Sequence, residues 1–110
     1  MNISTVDKGG AVVVTLQGEV DLQTSPDVRK ALLGEVEAKK TVIVAMGGVE
    51  YIDSSGVASL VEAYQVARKH GSPFSLVEVS PSAMRVLQLA RLDRVFTIHE
   101  TVDAALAADG

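Results

Sequence analysis

Short apolar runs bounded by Gly- and Pro-bearing breaks alternate along this chain with segments whose apolar residues recur every three or four positions. That alternation predicts strands and helices in turn. Residues 3–6 and 11–16, rich in β-branched side chains, flank Lys8-Gly9-Gly10 and predict an opening hairpin whose second strand stops at Gly18. Thr24, Ser25, Pro26 and Asp27 then supply a cap, a first-turn proline and an early carboxylate. Val28, Ala31, Leu32 and Val36 mark one face of the helix that follows. It is expected to run to about Lys39, where Lys39 and Lys40 complement its negative end. Residues 41–45 form an apolar run too short for a helix, which predicts a strand buried on both faces and broken by Met46-Gly47-Gly48.

The second helix has the clearest period: Val57, Leu60, Val61 and Tyr64 recur with Glu62 and Gln65 between them, until Gly71-Ser72-Pro73 ends the segment. Residues 74–79 predict another strand, and Ser80-Pro81-Ser82 repeats the cap-and-proline start before a third helix carrying Met84, Leu87 and Ala90. A short edge strand at 95–98 and an Ala-rich packing helix at 102–108 complete the reading. The expected fold is therefore α/β, a mixed, mostly parallel sheet of four to five strands with an N-terminal hairpin, joined by right-handed crossovers and packed by about four helices. No repeat, linker or low-complexity tract interrupts the pattern, so residues 1–110 are expected to form a single domain.

Composition narrows the partners. With 47% apolar but only 4% aromatic residues in 110, the chain builds one core from Val, Leu, Ile and Ala, Met46 included. Ten Lys and Arg against fourteen Asp and Glu leave a net charge of -4, which argues against a nucleic-acid surface and for protein partners. The absence of cysteine excludes disulfides, thiolate zinc sites and a Cys nucleophile. Residues 1–8 lack a basic start followed by an apolar run, and no stretch approaches a membrane span, so a cytoplasmic protein without membrane insertion is expected.

Candidate chemistry concentrates in Asp53-Ser54-Ser55-Gly56, between the central strand and the second helix. The carboxyl end of a parallel sheet is where ligands of such folds sit, which brings Ser54 or Ser55 near the surface. Either hydroxyl is suited to cap the helix, and the positive helix end would also accept a phosphate placed on one of them. Phosphorylation adds about -1.5 to -2 charge and three acceptors, so a partner fitted to a neutral hydroxyl would have to desolvate a dianion while the free domain stays folded.

Enzymatic readings are weaker. Asp53 beside Ser54 is better placed as a capping or turn residue than as a general base, and no Gly-x-Ser-x-Gly elbow surrounds the serine. His70 and His99 have no third ligand or orienting carboxylate at metal or triad spacing, and are read as surface residues. Gly9-Gly10 and Gly47-Gly48 lack the Lys-Ser/Thr of a phosphate cradle. Arg85, Arg91 and Arg94 are read as a solvated face, with an acidic partner surface or a nucleotide phosphate as the alternative. No catalysis, cofactor or metal is expected.

Three segments in order, Gly18-Glu19-Val20-Asp21 followed by Thr24, then Val49 through Val57 with Asp53-Ser54-Ser55-Gly56 inside it, then Leu92-Asp93-Arg94-Val95-Phe96, resemble the STAS-domain anti-sigma-factor antagonists, or anti-anti-sigma factors. The resemblance spans nearly the whole chain and implies a partner-switching regulator of transcription. It implies that the unphosphorylated domain binds an anti-sigma factor that is itself a serine kinase, that phosphorylation breaks the complex, and that a PP2C-type metal-dependent phosphatase restores it. The phosphorylated residue maps to Ser54. Ser55 maps to a neighbour that caps the helix and shapes the acceptor's surroundings, and Asp21, Thr24, Asp53, Ser54, Ser55 and Gly56 map to the partner-binding surface, Gly56 allowing close approach. Ala45 stands where many members carry an acidic or polar residue at the end of the central strand, and loss of that carboxylate beside the loop would alter kinase choice. The alternative implied function is a constitutive STAS docking subunit of a lipid ABC-type transport or signalling assembly.

Overall fold

Gly9 and Gly10, both at positive φ (+60° and +85°), close the hairpin that folds β1 (Asn2–Lys8) antiparallel onto β2 (Ala11–Val20). In this computed structural model, which describes residues 1–109, β2 continues the sheet into three parallel neighbours, β3 (Thr41–Ile52), β4 (Phe74–Val77) and β5 (Thr97–His99). The spatial order is β1-β2-β3-β4-β5. The intervening helices are α1 (Ser25–Glu37), α2 (Ser54–His70) and α3 (Pro81–Leu89), and α4 (Val102–Asp109) follows β5. This is the mixed α/β sheet that the hydrophobic pattern predicts.

The larger core joins Val12, Val14 and Leu16 of β2 and Val42, Val44 and Met46 of β3 to Val28, Leu32 and Val36 of α1, Leu60 of α2 and Leu87 of α3. A smaller cluster on the other face sets Ala11, Val13, Ile43, Ala45 and Val77 beneath Ala105 of α4. Residues 42–46 are consequently buried on alternate sides, which is why the segment reads as continuously apolar. Met46 is wholly buried, as expected of a core residue. Tyr64 packs edge-on against Phe96 with ring centroids 5.4 Å apart, closing the core beside β5. Among the described residues no helix is long and apolar enough to cross a membrane.

Several expected boundaries move. Met46-Gly47-Gly48 does not break β3, because two register shifts against β2 absorb it: Thr15↔Ala45 is followed by Gln17↔Gly48, and Gly18↔Val49 by Glu19↔Tyr51. Each shift gives β3 one extra residue, the signature of a β-bulge. A Cβ on Gly48 would lie 2.8 Å from Gln17 Cγ, so any larger residue there would force the Gln17 side chain to shift. β2 likewise continues past Gly18, which takes φ +106°, and reaches Val20. The first helix ends at Glu37, short of the two lysines; Lys39 turns left-handed at φ +62° and Lys40 Nζ pairs with Glu35 at 3.1 Å.

The start of α3 follows expectation. Ser80 Oγ accepts from Ala83 N at 3.3 Å and donates to Val49 O at 2.6 Å, so the same hydroxyl caps the helix and fastens it to β3. Extension of β2 and β3 beyond their glycines makes Val20 and Ile52 register partners, and the turns after them lie side by side at the carboxyl end of the sheet.

Candidate functional site

Asp53 leaves β3 in an extended conformation (φ -108°, ψ -172°) and becomes the N-cap of α2. Its Oδ1 accepts from Ser55 N at 3.0 Å, from Gly56 N at 3.1 Å and from the Ser55 hydroxyl at 2.6 Å. The Ser55 hydroxyl, with the Gly56, Ser55 and Leu22 N–H groups behind it, holds the Asp53 carboxyl below the usual carboxylate range despite some desolvation. The expected capping by Ser55 therefore does not occur. A cap reaches the second and third N–H groups of its helix, and those are Ser55 and Gly56 only when Asp53 is the cap; the serines fall one and two positions too late.

That arrangement separates the serines. Ser55 is half-buried and its hydroxyl is committed to Asp53. Ser54 is exposed in the first turn, and its hydroxyl makes no hydrogen bond among the described residues. Gly56 is buried: a Cβ there would lie 2.6 Å from Val20 Cγ1 and 2.7 Å from Ile52 Cγ1. The close approach this glycine permits is thus first to β2 and β3 of its own chain.

Asp21 and Thr24 shape the neighbouring turn. Asp21 Oδ1 accepts from Gln23 N at 3.0 Å and Thr24 N at 3.1 Å, while Thr24 Oγ1 accepts from Asp21 N and donates to Glu19 O, both at 2.9 Å. Thr24 precedes α1, yet its hydroxyl serves this turn and leaves the helix without the side-chain cap the sequence suggests. Asp53 N donates to Val20 O at 3.1 Å and ties the two turns together. The structure thereby gathers Asp21, Thr24, Asp53, Ser54, Ser55 and Gly56 at one end of the sheet.

Beside Ser55, a groove of about 330 Å³ between α1 and α2 is lined by residues including Ser25, Pro26, Arg29, Ala58 and Glu62. Arg29 and Glu62 join across it as an exposed ion pair, and Ser59 Oγ lies 3.3 Å from Ser25 O and 3.1 Å from Ser55 O. Sequence reasoning missed Arg29, Ser59 and Glu62, since partners more than thirty positions apart carry no local signal.

Other candidates lie elsewhere. Ala45 is in the smaller core under α4, seven residues before β3 ends, so it does not neighbour the serine loop as expected. His70 ends α2 at the surface, whereas His99 is only partly exposed on β5, with Nε2 buried and unpaired among the described residues. Arg85, Arg91 and Arg94 are exposed and form no ion pair among the described residues. No three His, Asp or Glu gather into a metal site among those residues.

The family model for the STAS domain matches residues 2–105. The chain belongs to the STAS domain family. Curated relatives that it matches are named anti-sigma factor antagonists. The anti-sigma F factor antagonist of Paenibacillus polymyxa is 24% identical over 99 residues, covering 88% of this chain and 85% of that protein. The crystal structure of an anti-sigma factor antagonist from Mycobacterium paratuberculosis superposes with a TM-score of 0.90 at 28% identity, over 98% of this chain and 92% of that one. The Bacillus cell-fate determinant SpoIIAA in its phosphorylated form has the same fold, with a TM-score of 0.74 at 20% identity over 97% of this STAS chain and 98% of its own.

Proposed function

We propose that residues 1–110 act as a single cytoplasmic STAS domain that antagonises an anti-sigma factor and is switched by phosphorylation of Ser54. In the unphosphorylated state the domain binds an anti-sigma factor that is also a serine kinase. Transfer of phosphate to Ser54 releases it, and a PP2C-type metal-dependent phosphatase resets the domain. Phosphoryl-transfer chemistry and its magnesium belong to the kinase; this chain is substrate and ligand.

The observation that carries this reading is the difference between the two serines: Ser55 donates to Asp53, and Ser54 stands exposed with its hydroxyl uncommitted. A phosphate on Ser54 would sit at the positive end of α2, which favours an anion. It would also lie next to the Asp53 carboxylate, so the surface presented to a partner would become strongly negative. The anti-sigma factor antagonists among its relatives, and a phosphorylated structure of the same fold, support the same assignment.

The test is intact-mass and fragment mapping of the protein from its native cells, with affinity capture by wild type, Ser54→Ala and Ser54→Asp. A single phosphate on Ser54, with a kinase retained by wild type and Ser54→Ala and weakened at least tenfold by Ser54→Asp, is the expected outcome. No phosphate, with a partner indifferent to both changes, would replace the switch with a constitutive docking subunit.

A further inference from the structure

The end of the sheet opposite Ser54 carries the opposite charge. α2 and α3 both run away from the serine end, and Val42 N donates to Pro73 O at 3.0 Å, which sets the turn after α2 beside the start of β3. Arg68 therefore lies roughly 20 Å along the axis of α2 from Ser54. Arg68 and Lys69 at the end of α2, Arg91 after α3 and Arg94 in the short helical turn Leu92–Arg94 are exposed and form no ion pair among the described residues. They gather in a chain whose net charge is -4. Beside them a groove of about 320 Å³ is lined by residues including Tyr64, Arg68, Gly71, Phe74 and Thr97. Val95, 47% exposed, stands just before Thr97, and its N–H is fixed to Leu92 O at 3.0 Å. Helix dipoles favour cations at both helix ends, but Arg91 goes further. It takes φ +60° and ψ 22°, the left-handed conformation that glycine adopts without strain. An arginine held there gives up backbone stability for a charge that nothing among the described residues uses.

We propose that this end is a second docking surface, which takes an acidic segment of a partner protein. An apolar or aromatic side chain of that segment seats against Tyr64 in the groove, and its flanking carboxylates pair with Arg68, Arg91 and Arg94. The same segment is turned away from the other end of the sheet, where Glu19, Asp21 and Asp53 make the surface acidic. The separation of the two ends exceeds the Debye length of about 8 Å, so a charge added at Ser54 leaves this site almost untouched. Binding here is independent of the state of Ser54.

The probe is a blocked pentapeptide, a tryptophan flanked on each side by two glutamates, titrated into the isotope-labelled full chain and followed by NMR. A peptide with glycine for the tryptophan and one with lysines for the glutamates are its controls. The expected result is amide shifts at Arg68, Gly71, Val95 and Thr97 but not at Ser54, none with the lysine peptide, and affinity about fivefold weaker for the glycine peptide. Binding should weaken roughly tenfold in the double variant Arg68→Gln, Arg94→Gln and stay within about twofold in Ser54→Asp. Arg91→Gly should bind more weakly while its urea unfolding midpoint stays at or above that of wild type, because glycine relieves the left-handed backbone. No shifts around the groove, equal binding of either control peptide, or unchanged affinity in the arginine double variant overturns the proposal. Silent peptides, together with co-sedimentation on phosphatidylserine vesicles that the double variant loses, overturn it in favour of an anionic membrane surface.

Discussion

Asp53 performs three tasks with one oxygen: it caps two N–H groups of α2 and accepts the Ser55 hydroxyl, which leaves Ser54 as the uncommitted hydroxyl. Its pKa is depressed in the folded chain, first by the Ser55 hydroxyl and then by Gly56 N–H. The linkage has a definite sign: the stabilisation is complete above the ordinary aspartate range and is lost as pH falls through the lowered folded value. Unfolding midpoints measured from neutral pH downward should therefore drop less in Asp53→Asn than in wild type once pH passes below about 4, because Asn still caps but does not titrate. The polar cluster and the capping or turn role of Asp53 were legible at this scale, but the commitment of the Ser55 hydroxyl to that carboxylate was not. A carboxylate and two hydroxyls compete for the same N–H groups, and only the backbone path out of β3 decides which one reaches them.

At the scale of elements, Gly56 sets how closely the first turn of α2 lies on β2 and β3. Helix propensity alone favours Ala over Gly by about 1 kcal/mol. The contacts at 2.6 and 2.7 Å with Val20 and Ile52 oppose it, and overpacking of this kind costs roughly 1–3 kcal/mol. Urea unfolding of Gly56→Ala should show net destabilisation; a gain in stability would mean that the turn is not packed as described. The helices and the opening hairpin were legible because their periods and caps are local. The full length of β3 was not: Gly47-Gly48 carries a turn signal, and the strand persists only because β2 lies close enough to absorb two bulges.

For the molecule as a whole, the proposed switch sits at one end of the sheet, outside the two buried clusters that support the fold. A charge introduced there should alter association without unfolding the chain. Ser54→Asp is accordingly expected to keep the circular dichroism of wild type, with an unfolding free energy within about 1 kcal/mol of it, since the helix N-terminus favours the new charge and the adjacent Asp53 carboxylate opposes it. Collapse of the fold in this variant would assign loss of binding to instability and not to the charge on the interface.

The sequence by itself determined the alternation of strands and helices, the burial of 42–46, the cap at Ser80 and the place of the serine loop at a helix start, because each depends on side-chain period or on neighbours within one turn. Tertiary structure decided that β3 runs to Ile52, that Gly56 packs inward, and that the turn after β2 stands beside the start of α2. These are matters of approach between segments that the chain holds apart. Such distances exist only once β2 and β3 are paired, and no local pattern encodes them.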